Sequence, residues 1–253
     1  MLPIALEDAT KVIQAFQLAG KEYICVMRLH GEVPEEKIRK VFEEFVGEIY
    51  QRPPVRASVK RRLRTRRIYY LELLEIEDRN VLFRVGCEGG TYIRKLCYDI
   101  GEVLGCSAHM RELRRIRAGP LTEETNCVDL YDVSYYCSLW KEKGDDTQIR
   151  KIVMPMEKAL EFMPKIYIRD SAVDAICHGA NLAAPGVVSV ETGIEKGDTV
   201  AIFTLKGEAV ALATALATTD EILKMTHGFV AKTRRVLMPR GIYPKMWRKE
   251  SGV

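Results

Sequence analysis

Gly89 and Gly90 sit between a strand pattern and a helix pattern, and this junction limits the possible folds more than any other stretch. Leu82 to Gly86 is rich in apolar and β-branched residues and reads as a strand. Ile93, Leu96, Cys97, Ile100, Val103 and Leu104 then recur at helical spacing. Thr91 is the expected N-cap, because its hydroxyl can accept from a free amide of the next turn. The spacing therefore puts Tyr92 and Arg94 on the first turn of a helix, beside two residues without side chains. Such a place suits a close-approaching backbone, although an ordinary glycine turn into an amphipathic helix gives the same pattern.

Around this junction strands and helices mix without regular alternation, which points to an α+β layer and not to a doubly wound sheet. Thr10 to Leu18 reads as a helix ended by Gly20, and Glu22 to Leu29 as a strand with Tyr23, Cys25, Met27 and Leu29 on one face. Glu35 to Phe45 is an amphipathic helix. Ile68 to Glu77 and Val81 to Val85 form a hairpin that turns at Asp78-Arg79-Asn80. Ala108 to Arg115 fits strand and helix equally well. Gln148 to Phe162 reads as helical, and Lys141 to Asp146 as an exposed loop. At Pro164 the texture changes to short strands punctuated by glycine, the pattern of a small β-barrel. The expected division is 1–163 and 164–253.

The formal net charge of +4 is small, but its distribution is uneven. Gln51 to Arg67 carries Arg52, Arg56, Lys60, Arg61, Arg62, Arg64, Arg66 and Arg67 with no acid among them. Arg111 to Arg117 adds further arginines. A basic loop on a rigid scaffold, approached through Pro53-Pro54, is suited to gripping nucleic-acid phosphates; a solvated face or a targeting signal is the competing reading. Tyr23 is either core or a platform for an unpaired base. The seven cysteines form no Cys-x-x-Cys pair and the four histidines no metal pattern, so neither a zinc site nor a disulfide framework is expected. No apolar run approaches the roughly 20 residues of a membrane span. No leader pattern is present, and reduced thiols suit a cytoplasmic compartment.

In order along the chain stand Leu2 to Lys11 (Leu-Pro-Ile-Ala-Leu-x-x-Ala-Thr-Lys), Gly-Lys-Glu-Tyr at Gly20 to Tyr23, and Arg-Leu-His-Gly at Arg28 to Gly31. Gln-Arg-Pro-Pro at Gln51 to Pro54, Val-Lys-Arg-x-Leu-Arg-x-Arg at Val59 to Arg66, Gly-Thr-Tyr-Ile-Arg at Gly90 to Arg94 and Ala-His-Met-x-x-Leu-Arg-Arg at Ala108 to Arg115 follow. Together these resemble the TruB/dyskerin class of RNA pseudouridine synthases, in its archaeal H/ACA ribonucleoprotein form. Asp170 to Val173, His178 to Leu182, Pro185 to Val187 and Gly197 to Val200 look like that class's C-terminal PUA domain, an RNA-binding barrel.

The resemblance implies isomerisation of uridine to pseudouridine in rRNA or tRNA, directed by a guide RNA, without metal or cofactor. Its partners would be guide and substrate RNA and the small accessory proteins of the H/ACA particle, with a cytoplasmic location in an archaeon and a nucleolar one in a eukaryote. Tyr23 would stack on the target base. Arg94 would pair with the catalytic aspartate, and Tyr92 and Leu113 would line the pocket. Lys60, Arg61, Arg62 and Arg64 would hold RNA backbone, and His178 with Gly179 would contact the guide RNA.

The pattern departs from the family at one point. The family's nucleophilic aspartate lies in a Gly-Thr-Leu-Asp-Pro loop shortly before Leu-Pro-Ile-Ala-Leu, and no such run occurs here. Asp8, Asp78, Asp99 and Asp129 lie in other contexts. The expectation is an N-terminally truncated chain with an incomplete catalytic sheet, inactive by itself. Gly89, where alanine is usual, reads as a minor variation. The alternatives are a catalytically inactive RNA-binding scaffold and a stand-alone tRNA pseudouridine synthase.

Overall fold

The structure is a computed structural model that describes residues 1–53 and 60–246. Arg56, Val59, the second proline of Pro53-Pro54 and the end of the 164–253 segment lie outside the described residues. Contacts divide the chain into two compact units, one of Met1–Ile4 with Gln17–Ile152, the other of Ala5–Phe16 with Val153–Val253.

A 3-10 turn, Glu7–Val12, leads into α1 (Ile13–Leu18), then β1 (Lys21–Leu29), α2 (Glu35–Glu44) and β2 (Gly47–Gln51). The hairpin β3 (Arg64–Glu77) and β4 (Asn80–Cys87) follows, then α3 (Ile93–Leu104), β5 (Ala108–Ala118), β6 (Leu121–Thr122), α4 (Glu123–Asn126), α5 (Leu130–Lys143) and α6 (Ile149–Ile152). The first unit's sheet has the order β2-β3-β4-β1-β5-β6, and every recorded pairing in it is antiparallel. One face is covered: Cys25, Met27, Phe83 and Val85 pack with Ile38 and Phe42 of α2 and Leu96 and Ile100 of α3. The opposite face carries Glu22, Arg84, Glu112 and Arg117, the usual arrangement of an antiparallel sheet with one solvated side.

Several local expectations change. Ala108 to Arg115 is strand, because β5 pairs with β1 along its length. The hairpin begins at Arg64 and not at Ile68, since β2 supplies a partner for Arg64 to Ile68, so the second half of the basic run is ribbon and not loop. Thr91 is not the cap: its hydroxyl donates to the Glu88 carbonyl at 2.8 Å, and Tyr92 occupies the N-cap position without a side-chain bond. Gln148 to Phe162 is broken into α6 and a 3-10 turn, Met156–Leu160, because Pro155 lacks an amide for a continuous helix. Lys141 to Lys143 end α5, which leaves only Gly144 to Asp146 of the expected loop outside a helix.

The second unit continues with β7 (Lys165–Ile168), α7 (Asp170–Cys177), β8 (Leu182–Ala183), β9 (Val187–Val190), β10 (Thr199–Thr204), β11 (Ala209–Ala215), α8 (Thr219–Lys224) and β12 (Phe229–Val236). Its sheet has the order β8-β12-β11-β10-β7-β9 and forms a near-barrel, with β7 and β10 parallel. β8 and α8 carry no signal in the sequence long enough to read. By contacts, residues 5–16 and 153–163 group with this unit. The cause is a second apolar cluster in which Val12, Ala15, Leu160 and Met163 pack on Ala201, Phe203, Leu212 and Leu237.

Candidate base pocket and RNA-binding surfaces

Tyr23 lies on the covered face of β1, opposite Arg115 and Val85. Leu113 stands opposite Cys25 on that face and is 41% exposed, so this part of the face reaches solvent. The Arg115 guanidinium donates to the Met1 carbonyl at 3.1 and 3.0 Å and lies within hydrogen-bonding reach of the Tyr23 phenol. Burial raises the Tyr23 pKa, and nearby Cys87 adds to this against the pull of Arg115. The balance favours the neutral phenol.

Cys87 links this ring to the glycine junction. Its thiol, pushed up to about 11 mainly by burial and eased down by the neighbouring Thr91 hydroxyl, lies beside Tyr23 and Lys21. Gly90 has φ +85° and closely approaches the Arg66 guanidinium. Gly89 is not a neutral variation in a loose loop. A Cβ there would lie 2.3 Å from the Gln17 carbonyl oxygen, so alanine forces the backbone of residues 17–19 to move.

The start of α3 is held by a residue outside the expected site. Gln51, 2% exposed, donates from Nε2 to the Tyr92 carbonyl at 3.2 Å and accepts from the Tyr92 amide at 3.0 Å. This amide-to-peptide clamp fixes Tyr92 and the turn that carries Arg94. The only sequence hint is the Gln-Arg-Pro-Pro motif. Arg94 is exposed and has no ion pair among the described residues.

The first basic run keeps most of its charge, although Arg66 pairs with Glu88 at 3.7 Å. Lys60, Arg61 and Arg62 are exposed, and none of them, nor Arg64, has a carboxylate partner among the described residues. The Lys60 carbonyl accepts from the Arg62 amide at 3.0 Å and from Arg64 Nη2 at 3.3 Å, which shapes the approach to β3. The second run does not form one positive surface. Alternation, together with an irregularity at Ile116, sends Arg114 to Glu123 at 2.7 Å and Arg117 to Glu22 at 3.0 Å on the open face, while Arg115 turns to the covered face.

In the second unit His178 is the C-cap of α7, its Nδ1 2.8 Å from the Asp174 carbonyl oxygen. Gly179 has φ +88° and open space where a side chain would stand. Thr233 of β12 donates through its hydroxyl to the Ala180 carbonyl at 2.6 Å, which docks this turn on a strand whose neighbouring Lys232 and Arg234 are exposed, the Arg234 guanidinium donating to the Thr214 hydroxyl at 2.9 Å. The site reading of the sequence missed these cations, although Lys-Thr-Arg-Arg at Lys232 to Arg235 signals them. Among the described residues, no three of His, Cys, Asp and Glu come together as a metal site, and no helix is long and apolar enough to cross a membrane.

An aromatic ring on the covered face, an exposed guanidinium at a helix start and exposed cations ahead of β3 are the features the chain offers to a polyanion. Family models agree along the chain. Residues 31–93 match the N-terminal domain of TruB family pseudouridylate synthase, 94–161 the C-terminal domain of tRNA pseudouridylate synthase B, and 164–237 the PUA domain. The probable tRNA pseudouridine synthase B of Methanopyrus kandleri is 60% identical over 98% of this chain and 73% of its own length. That of Methanosarcina barkeri is 57% identical over 100% and 75%. The chain belongs to the TruB/Cbf5 family of RNA pseudouridine synthases. It superposes on a chain of a Cbf5-Nop10-Gar1 complex with TM-score 0.93 and 56% identity, over 97% of this chain and 74% of that one. An H/ACA ribonucleoprotein bound to a substrate RNA containing 2'-deoxyuridine gives TM-score 0.87 and 52% identity, over 96% and 73%.

Proposed function

We propose that this chain forms the base pocket and RNA-holding surfaces of a guide-RNA-directed synthase that converts uridine to pseudouridine in rRNA or tRNA. The carrying observation is the patch of Tyr23, Arg115 and Leu113 beside the start of α3, where Arg94 has no carboxylate partner among the described residues. The uridine leaves its stack and lies on Tyr23, between Leu113 and Tyr92. Its N1–C1′ bond breaks and a C5–C1′ bond forms to the same ribose. C5 loses a proton and N1 gains one, so no electrons are exchanged with an outside carrier.

Arg94 serves to orient and keep ionised the family's aspartate. The resemblance puts that aspartate just ahead of Leu2, and Met1 is held by Arg115 at the pocket. Lys60, Arg61, Arg62 and Arg64 take RNA phosphates. His178 and Gly179 take the guide RNA. Guide RNA and small accessory proteins are the proposed partners, on the strength of the H/ACA and Cbf5-Nop10-Gar1 neighbours. The 253 residues contain no Gly-Thr-Leu-Asp-Pro, so by themselves they are expected to bind RNA without isomerising it.

Filter binding over a salt series tests the surface. Changing Arg61, Arg62 and Arg64 together to alanine is expected to lower the slope of log affinity against log salt by roughly 2–3, at about 0.7–0.9 per cation. An unchanged slope removes the basic ribbon from the RNA path. Tritium release from 5-tritiated uridine by the 253 residues alone would contradict the expected inactivity. Modification that continues without a guide RNA would favour a stand-alone tRNA enzyme.

A further inference from the structure

Behind Tyr23, on the opposite face of the sheet, Glu22 is a buried carboxylate at 3% exposure, and the pocket chemistry does not use it. Across the strands the register aligns Tyr70 of β3, Gly86 of β4, Glu22 of β1 and Arg117 of β5 in one row. Gly86 makes the row possible, because a Cβ there would stand 2.3 Å from the Tyr70 ring. The ring lies over the glycine, and its hydroxyl hydrogen-bonds Glu22. Arg84 donates to Oε1 of the same carboxylate, and Arg117 Nε meets Oε2 at 3.0 Å. One acid thus ties β1 to three other strands.

The tie falls on an irregularity. Glu22 pairs with Arg117 and Tyr23 with Arg115, so Ile116 is an extra residue in β5. A second shift lies between Val26 and Met27, where Arg111 is extra. Between these bulges Tyr23 to Val26 face Arg115 to Glu112 in strict register. Simple alternation would put Arg115 and Arg117 on the same face. The bulge at Ile116 lets Arg117 reach Glu22 on the open face while Arg115 stays opposite Tyr23 on the pocket face.

We propose that Glu22 is a positioning residue of the base pocket: by binding Arg117 across the bulge at Ile116, it sets Arg115 and Leu113 on the face of Tyr23. This inference rests on the base-pocket reading above, and the test separates the two. The 253-residue chain is titrated with a stem-loop RNA bearing one unpaired uridine, and with the same RNA abasic at that position. The wild-type chain is expected to prefer the uridine RNA about tenfold, the order of one base–aromatic stack. In Glu22→Gln the preference falls below twofold, while affinity for the abasic RNA and the salt slope stay within twofold of wild type. Arg117→Met, which cuts the same tie from the more exposed side, reproduces this effect.

Thermal melts accompany each titration. A lowered melting temperature with the full uridine preference retained makes Glu22 merely structural and overturns the inference, leaving the pocket reading intact. Unfolding of both variants overturns it likewise, because the row would then be needed for the fold itself. A wild-type chain without the preference removes the pocket reading and this inference with it.

Discussion

The two sheets have the same number of strands but meet solvent differently. β10 and β11 of the second unit are buried at nearly every position, because an apolar cluster lies on each side of them. Their sequences are accordingly dominated by apolar residues, with threonine as the only polar type and no charge. In the first unit, β3 and β5 are largely exposed on one face and alternate between apolar and charged residues. A sheet covered on both faces leaves little room for chemistry along its strands, which is why the proposed guide-RNA contact falls on the turn at His178-Gly179. A sheet covered on one face can place a pocket on one side and the ion pairs that hold its register on the other.

The largest effect expected from this contrast lies in the second unit. Ile202→Ala, at a fully buried position of β10, is expected to cost about 2–5 kcal/mol in denaturant unfolding. A loss below about 1 kcal/mol would mean that the second unit is not packed on both sides. Next comes the first unit's polar clamp. Gln51→Ala leaves the Tyr92 amide and carbonyl unpaired and is expected to cost about 1–3 kcal/mol. It should also raise hydrogen exchange of the Tyr92 amide, and unchanged exchange there would show that the clamp is dispensable.

The smallest expected effect concerns the open face. Burial alone would raise the Glu22 pKa, but hydrogen bonds from Tyr70 and Arg84 and the charges of Arg84 and Arg117 outweigh it and hold the carboxyl below 4.5. An acid depressed on folding stabilises the fold above its unfolded pKa, and that contribution disappears as pH falls through the folded value. Wild type should therefore lose melting temperature more steeply below pH 4.5 than Glu22→Gln does. Parallel acid limbs for the two proteins would deny Glu22 this role.

Much of the pocket was legible from local pattern. The strand holding Tyr23, the helix behind Arg94 and the strands near Lys165, Val187 and Thr199 follow from period and glycine punctuation. The ambiguous Ala108 to Arg115 did not, since a run with apolar residues at both spacings is decided by its neighbour β1. Ordered motifs from Leu2 to Arg115 carried the family resemblance although each is weak alone.

By itself, the sequence determined the kinds of element, the family and the places where cations are dense, because these depend on residues close together in the chain or on motif order. Tertiary structure alone decided that Gln51 grips Tyr92, that Arg115 and Arg117 part to opposite faces, and that residues 5–16 join the second unit's core. Each of these is a pairing between distant segments. Burial and strand register select the partner there, and no local period records either.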